Sequence, residues 1–442
     1  MIRKKRMSKG IAKILSGLLV FGMVAGVVPA VPHGTLQVQA ANEHSHPVCG
    51  SSCTDDSSHT NLEFVKLTGS EDTLKIGETT IQSTDNNLEL PAGCYYLSDS
   101  FEPSYSIIVK GDVKICLNGH NINMKSAGNV FEVDKGGTLT LTDCKGSSSI
   151  SHSDVEWGRG VLVSNGTFNM YGGSITGNTA QYFGGGVSVY KGTFNMFDGT
   201  ISGNKVTSAT MQSHGGGGVW VHTTGTFCMK GGSITGNTAY PYNYDYNKAN
   251  GGGVYCRGSL ELSGSPVIEG NKLTTGESNN LVSYMNKTKI TDTLNSDAKI
   301  YVYMKDTSTQ DQTLATVDPS VSSFDAKNIF YCDNANFVAD FDAANNTIKW
   351  TTHTHDWGAW TSNGDGTHTR ICASNSSHKQ TEKCSGGTAT DKDRAICSIC
   401  NAPYGEINAG SNPAPTPTPT PTPAPNPTPE ATTPTPDPAP AT

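Results

Sequence analysis

Long hydrophobic runs are almost missing from this 442-residue chain. After the apolar stretch Ile14–Val28 no second one follows, so the body of the chain holds no candidate membrane span. Basic excess is missing too. With 31 Lys+Arg against 39 Asp+Glu the formal net charge is −8, with no basic stripe, which excludes nucleic acid as the expected partner. No LPxTG-like sorting signal and no terminal apolar tail appear, so the expectation is non-covalent anchoring or a chain that stops short of its anchor. No paired motif specific to a known lyase or hydrolase is present. Cysteine is not lacking. All 12 lie beyond the leader, an even count that suggests disulfides in a secreted chain, although several spacings are those of metal sites.

The leader is the first thing present. Arg3, Lys4, Lys5, Arg6, Lys9 and Lys13 precede the apolar stretch, and Val38-Gln39-Ala40 has the small-residue spacing of a cleavage site. Residues 1–40 are read as a signal peptide, which places the mature chain outside the cell, secreted or at the cell surface, with no transmembrane segment. At the other end, residues 409–442 form a Pro/Thr-rich linker or stalk; Pro413–Thr442 alone holds 13 of the 22 prolines. Such a disordered tail favours extended polyproline II and acts as a semi-rigid spacer, consistent with cell-wall association.

Between these ends one phrase recurs. It reads GTFNMYGGSITGN at Gly166–Asn178, GTFNMFDGTISGN at Gly192–Asn204 and GTFCMKGGSITGN at Gly225–Asn237, with a degenerate copy at Gly258–Asn271. The starts are 26, 33 and 33 residues apart, a solenoid period. Glycine triplets followed by short alternating strands (Gly184–Lys191, Gly216–Thr223, Gly251–Gly258) separate the phrases, which points to about three strands per coil. Stacking in register puts Phe168/Met170, Phe194/Met196, Phe227/Met229 and Leu260/Leu262 inside, with Ile175, Ile201, Ile234 and Ile268. It also aligns Asn178, Asn204, Asn237 and Asn271 in a column whose amides can hydrogen-bond from coil to coil. The expected fold is all-β: a right-handed parallel β-helix over residues 61–350, with a His/Cys-rich segment at 41–60 before it and a small Cys/His-rich module at 351–408 after it. The repeats resemble pectate-lyase-like β-helices in general. Their wording is similar to the repeats of bacterial polymorphic outer-membrane proteins and of β-helix surface proteins from gut Gram-positive bacteria.

Two segments carry metal-like spacings. Residues 42–60 crowd His44, His46, Cys49, Cys53 and His59 together, with a C-x3-C spacing within the range of structural zinc; a polar tail with one disulfide is the alternative. The later module resembles a short Cys-rich repeat of secreted gut Firmicutes proteins. It is too small to hold itself by a hydrophobic core and needs a staple. Cys372, Cys384, Cys397 and Cys400 suit a four-thiolate Zn2+ site, with His378 a substitute ligand, and two disulfides are the alternative. In the early coils, Cys116 and Cys144 point outward from adjacent turns and are candidates for a bridge.

The strands after the glycine triplets present two outward columns. One runs Glu132, Leu162, Ser188, Trp220, Tyr255; the other runs Asp134, Ser164, Tyr190, His222, Arg257. Tyr242 and Tyr244 sit in a loop entering this face. Aromatic bodies with polar tips suit stacking on sugar rings, so Trp220, Tyr255, Tyr190, His222, Arg257, Tyr242 and Tyr244 are the candidate ligand-binding residues. Ordinary strand-forming surface residues are the plain alternative. The opposite end of the face is acidic, with Glu132, Asp134, Asp154 and Glu156 beside Arg159. The resemblance to pectate-lyase-like enzymes implies Ca2+ on such carboxylates and a neighbouring Arg as base, which makes these five the candidate catalytic residues. Repeat regularity and short loops favour a binding module or a structural stalk over an enzyme, and the expected function is an adhesin-like binding module for glycans or host matrix. The alternatives are a polysaccharide lyase or hydrolase, or a purely structural stalk.

Overall fold

A computed structural model describes residues 44–48 and 61–408, apart from short breaks at 135, 154, 156, 209–214, 242–249, 285–286, 305–311, 322–323, 334–336, 353 and 374. It is a parallel β-solenoid of about 8 turns with almost no helix. Cys49, Cys53, His59, Asp154, Glu156, Tyr242 and Tyr244 fall outside the described residues.

Each coil contributes one strand to each of three stacked ladders. The first holds the strands that follow the glycine triplets, from Asn87–Leu90 through Gly158–Val163 to Leu281–Ser283. The second holds the GTFNM strands, from Gly93–Leu97 through Gly166–Met170 to Thr313–Val317. The third holds the short SIT strands, from Ile122–Met124 through Ser174–Thr176 to Phe330–Cys332. A two-residue segment after each asparagine adds a fourth, minor ladder, as in Thr179–Ala180 paired with Lys205–Val206.

The register follows the repeat. Phe168 pairs with Phe194 and Phe194 with Phe227, and their rings stack at 4.9 and 4.8 Å, nearly parallel. Every inward residue expected from the alternation is fully buried, including Ile175, Ile201, Ile234, Ile268 and Cys256. Burying each such side chain contributes about 1.5–3 kcal/mol.

Glycine is required where coils approach most closely. A Cβ on Gly217 would lie 2.4 Å from the Thr238 carbonyl oxygen and 2.5 Å from that of Gly252. Gly177, Gly203, Gly236 and Gly270 have φ of +68, +63, +65 and +66°, the left-handed turn that carries each coil into its asparagine.

The asparagine column forms the ladder its spacing predicts. The Nδ2 groups of Asn178, Asn204 and Asn237 donate to the next Oδ1 at 2.9, 3.0 and 2.9 Å, and each backbone N–H donates to the same oxygen. Each Nδ2 also donates to the carbonyl of the isoleucine one coil back, such as Ile175 for Asn204 at 2.8 Å. Fully buried polar groups are thus satisfied without water.

Antiparallel hairpins close both ends. Val65–Gly69, Thr73–Ile76 and Thr79–Gln82 fold over the first coil, and Phe337–Asp342 with Thr347–Thr352 over the last. Such caps remove the open parallel edge that would otherwise stack end to end. The module beyond is a three-stranded antiparallel sheet (Thr361–Ser362, Thr367–Cys372, Asn375–Lys383) plus the pair Ala395–Ile396 and Pro403–Tyr404.

Candidate metal centre and ligand-facing strip

In the C-terminal module, four donors converge that lie on three different pieces of chain. His368 is on a strand, Cys384 follows the next strand, and Cys397 and Cys400 sit on the tight turn between the last two short strands. Their ligand atoms all lie within 4.8 Å of one another. His368 Nδ1 is 3.5 Å from Cys384 Sγ and 3.4 Å from Cys397 Sγ, and Cys384 Sγ is 3.9 Å from Cys400 Sγ. Zn–S bonds near 2.3 Å and Zn–N near 2.0–2.1 Å at tetrahedral angles put sulfurs about 3.8 Å apart and sulfur and nitrogen about 3.6 Å apart. A disulfide needs about 2.05 Å. The donor set and its spacing therefore fit a tetrahedral zinc ion rather than two disulfides.

The surroundings orient these ligands. Trp360 meets the His368 ring edge-on at 4.5 Å, and the Arg370 guanidinium lies over Trp360 at 4.6 Å and over Trp357 at 4.9 Å. Burial pushes the Cys384 thiol up to about 12, helped by the neighbouring sulfurs of Cys397 and Cys400. Burial also acts to raise Cys397, yet backbone hydrogen bonds at Cys400, Ile399 and Ser385 bring it down to about 6, favouring thiolate there.

This corrects the expected ligand set in one position. His368 takes the place assigned to Cys372. Four residues along a strand span about 13 Å, so both cannot reach one ion. Cys372 is buried at 1 % exposure, beyond a register shift after Ile371. His378 is not in the group either; it meets His355 edge-on at 5.0 Å. A search keyed to cysteine spacing passes over a histidine sixteen residues upstream of the first ligand cysteine.

On the solenoid, the first outward column has the expected composition, and in the second Asp134 neighbours Ser164 and Tyr190 neighbours His222. Glu132, Leu162, Ser188, Trp220 and Tyr255 are register partners in that order. The exposure of the first column differs from the expectation. Trp220 is 3 % and Tyr255 6 % exposed, forming with Val282 a second apolar cluster against which Phe183 and Tyr303 pack. The Phe183 ring lies 4.4 Å from that of Trp220. The cover comes from a loop residue of the preceding coil, which strand alternation does not report.

The second column stays open. Tyr190 is 48 % exposed and stacks on His222 at 4.6 Å. Arg257 follows one coil on, with its guanidinium 5.8 Å from the Tyr284 ring. His222 is lowered by partial burial and by the positive charges of Arg257 and Lys191.

The acidic end is largely engaged internally. Arg159 donates from Nε to the Phe183 carbonyl at 2.9 Å and from Nη1 to Asn129 Oδ1 at 3.3 Å, while Asn129 donates to Glu132 at 3.3 Å. Asp134 accepts from Ser164 at 3.1 Å. Burial lowers Arg159, and Glu132 opposes that. Arg159 thus holds the backbone of the residue that covers Trp220. Among the described residues, His, Cys, Asp and Glu donors converge in two groups, both containing cysteine, rather than in an all-oxygen set of the kind Ca2+ prefers.

Comparison with protein-family models, with curated proteins and with solved structures finds no significant match to this chain.

Proposed function

We propose that the chain is a secreted or cell-surface β-helix protein that works as an adhesin-like binding module, recognising glycan or host matrix through the strip Tyr190–His222–Arg257. The observation that carries this reading is the half-exposed Tyr190 ring stacked on His222, with the Arg257 charge acting on that histidine from the next coil. A flat aromatic face suits a sugar ring, and the flanking cation suits its carboxylate or sulfate. Lys191 adds positive charge to the same edge, although the chain as a whole is acidic. Acidic glycans are therefore the favoured class. Binding is favoured over lyase or hydrolase chemistry because Arg159, the candidate base, is committed to a backbone carbonyl and Asn129. The leader and the proline-rich tail suit presentation from a cell wall, as does the likeness of the repeats to those of bacterial surface proteins.

A glycan array probed with the secreted chain, with and without Ca2+, tests this. The expected result is calcium-independent retention of intact acidic glycans, weakened roughly tenfold by Tyr190→Ala and by Arg257→Ala, about 1.4 kcal/mol each. Calcium-dependent cleavage, or a profile unaltered in both variants, would overturn the reading.

A further inference from the structure

The second donor group lies on the early coils of the solenoid and joins two parts of the sequence that spacing alone does not connect. His44 and His46 come from the N-terminal segment, Cys116 from the end of Asp112–Cys116, and Cys144 from just after Thr138–Thr142, one coil on. We propose that His44, His46, Cys116 and Cys144 form a tetrahedral Zn2+ site that clasps the N-terminal segment to the flank of the solenoid.

Four independent features carry this. The ligand atoms of the four residues lie within 4.8 Å of one another. Cys116 Sγ and Cys144 Sγ are 3.5 Å apart and Cys144 Sγ is 3.7 Å from His44 Nε2. These are close to the separations of about 3.8 and 3.6 Å that a shared tetrahedral zinc imposes, and well beyond a disulfide bond. Second, the His46 tautomer is set for ligation. Its Nδ1–H donates to the Pro47 carbonyl at 2.8 Å, which leaves Nε2 as the ring nitrogen with a lone pair for a metal. That Nε2 is buried and has no hydrogen-bond partner, a state a metal ion would relieve.

Third, both imidazoles are held before any ion arrives. His44 stacks on Tyr96 at 4.8 Å and His46 on Phe64 at 4.6 Å, with the two histidines edge to face at 4.9 Å. Fourth, the segment needs a fastener. Among the described residues its regular pairing is Ser45–His46 against Leu62–Glu63, two residues long, which is too little to hold it by itself. Two thiolates, two neutral imidazoles and Zn2+ sum to zero charge, so the completed site tolerates the full burial of Cys116. Each thiol gives up its proton to solvent as the ion binds. The nitrogen and sulfur donors select zinc over calcium or magnesium.

The clasp also shapes a surface. His46 and Pro47 form one wall of a groove of about 480 Å³ whose other lining includes Asp143, Tyr171 and Asp198. Releasing the segment would remove that wall.

Zinc content of the purified secreted chain distinguishes this site from the C-terminal one. The expected result is two zinc ions per chain in the parent and one in each of Cys144→Ser, His46→Gln and Cys400→Ser. The double variant Cys144→Ser/Cys400→Ser should hold none. Cys144 is exposed, so its replacement leaves the core intact, and His46→Gln gives a second, independent reading. Chelation of the Cys400→Ser protein should speed proteolytic removal of the N-terminal segment. The proposal is overturned if Cys144→Ser and His46→Gln keep the parent's zinc content, or if peptide mapping finds Cys116 and Cys144 joined as a disulfide. Loss of zinc only from Cys400→Ser would overturn it while leaving the C-terminal centre standing.

Discussion

Asn280 gives both its backbone N–H and its side-chain amide to the two oxygens of Asp333, each at 2.7 Å. This pair ends the amide ladder. Asn271 donates to Asn280 just as Asn237 donates to Asn271, so every amide in the column points the same way. The aligned dipoles place their positive end at the Asp333 carboxylate, as a helix N-terminus does for an anion. At the other end His152 Nδ1 donates to Asn178 Oδ1 at 2.8 Å. The donor must be the imidazole, because the Asn178 amide is already spent on Asn204 and two carbonyls.

The two ends titrate in opposite senses. Burial raises Asp333, against the hydrogen bonds from Asn280 and Ser278, so its contribution is fully present below the unfolded value near 3.9 and is lost as pH rises through its raised folded value. Asp333→Asn should flatten stability over that window, measured by urea unfolding at stepped pH. Asp333→Ala should cost about 1–3 kcal/mol by leaving the Asn280 donors unpaired. Burial lowers His152, so its contribution is complete above about 6.5 and falls away as pH drops toward its lowered folded value. His152→Gln should remove that acid-side slope; an unchanged slope would show that His152 is not its source.

Trp220→Ala should lower stability by about 3 kcal/mol, because it empties the cluster beneath Phe183. Calorimetry checks this directly. A mutant with an unshifted transition would show that the indole is not packed as found.

Phe194 is sandwiched between Phe168 and Phe227. Phe194→Ala should cost about 3–5 kcal/mol, and Phe194→Asp should unfold the coils, since a carboxylate there has no partner. Circular dichroism of a soluble, folded Asp variant would refute the stacking register.

Metal removal should unfold the C-terminal module. EDTA, or Cys384→Ser, is expected to abolish the dispersed amide signals of residues 361–404 in NMR spectra, whereas a reductant alone should leave them in place. Loss under reductant without chelator would point to disulfides instead.

The sequence by itself determined the solenoid, its inward register, the asparagine ladder and the composition of the first outward column. It did so because each residue's neighbour in space is its own counterpart one period away, so the 26- and 33-residue repeat is a contact map in itself. Only the tertiary structure decided what lies over that column and which donors meet. Phe183 covers Trp220 from a loop, outside the alternation that assigned the tryptophan to the surface. His368 displaces Cys372 because ligand choice depends on distance across a hairpin rather than on residue type. Likewise His44 lies 100 residues from Cys144 in sequence, and only the stacking of coils brings imidazole and thiol within reach.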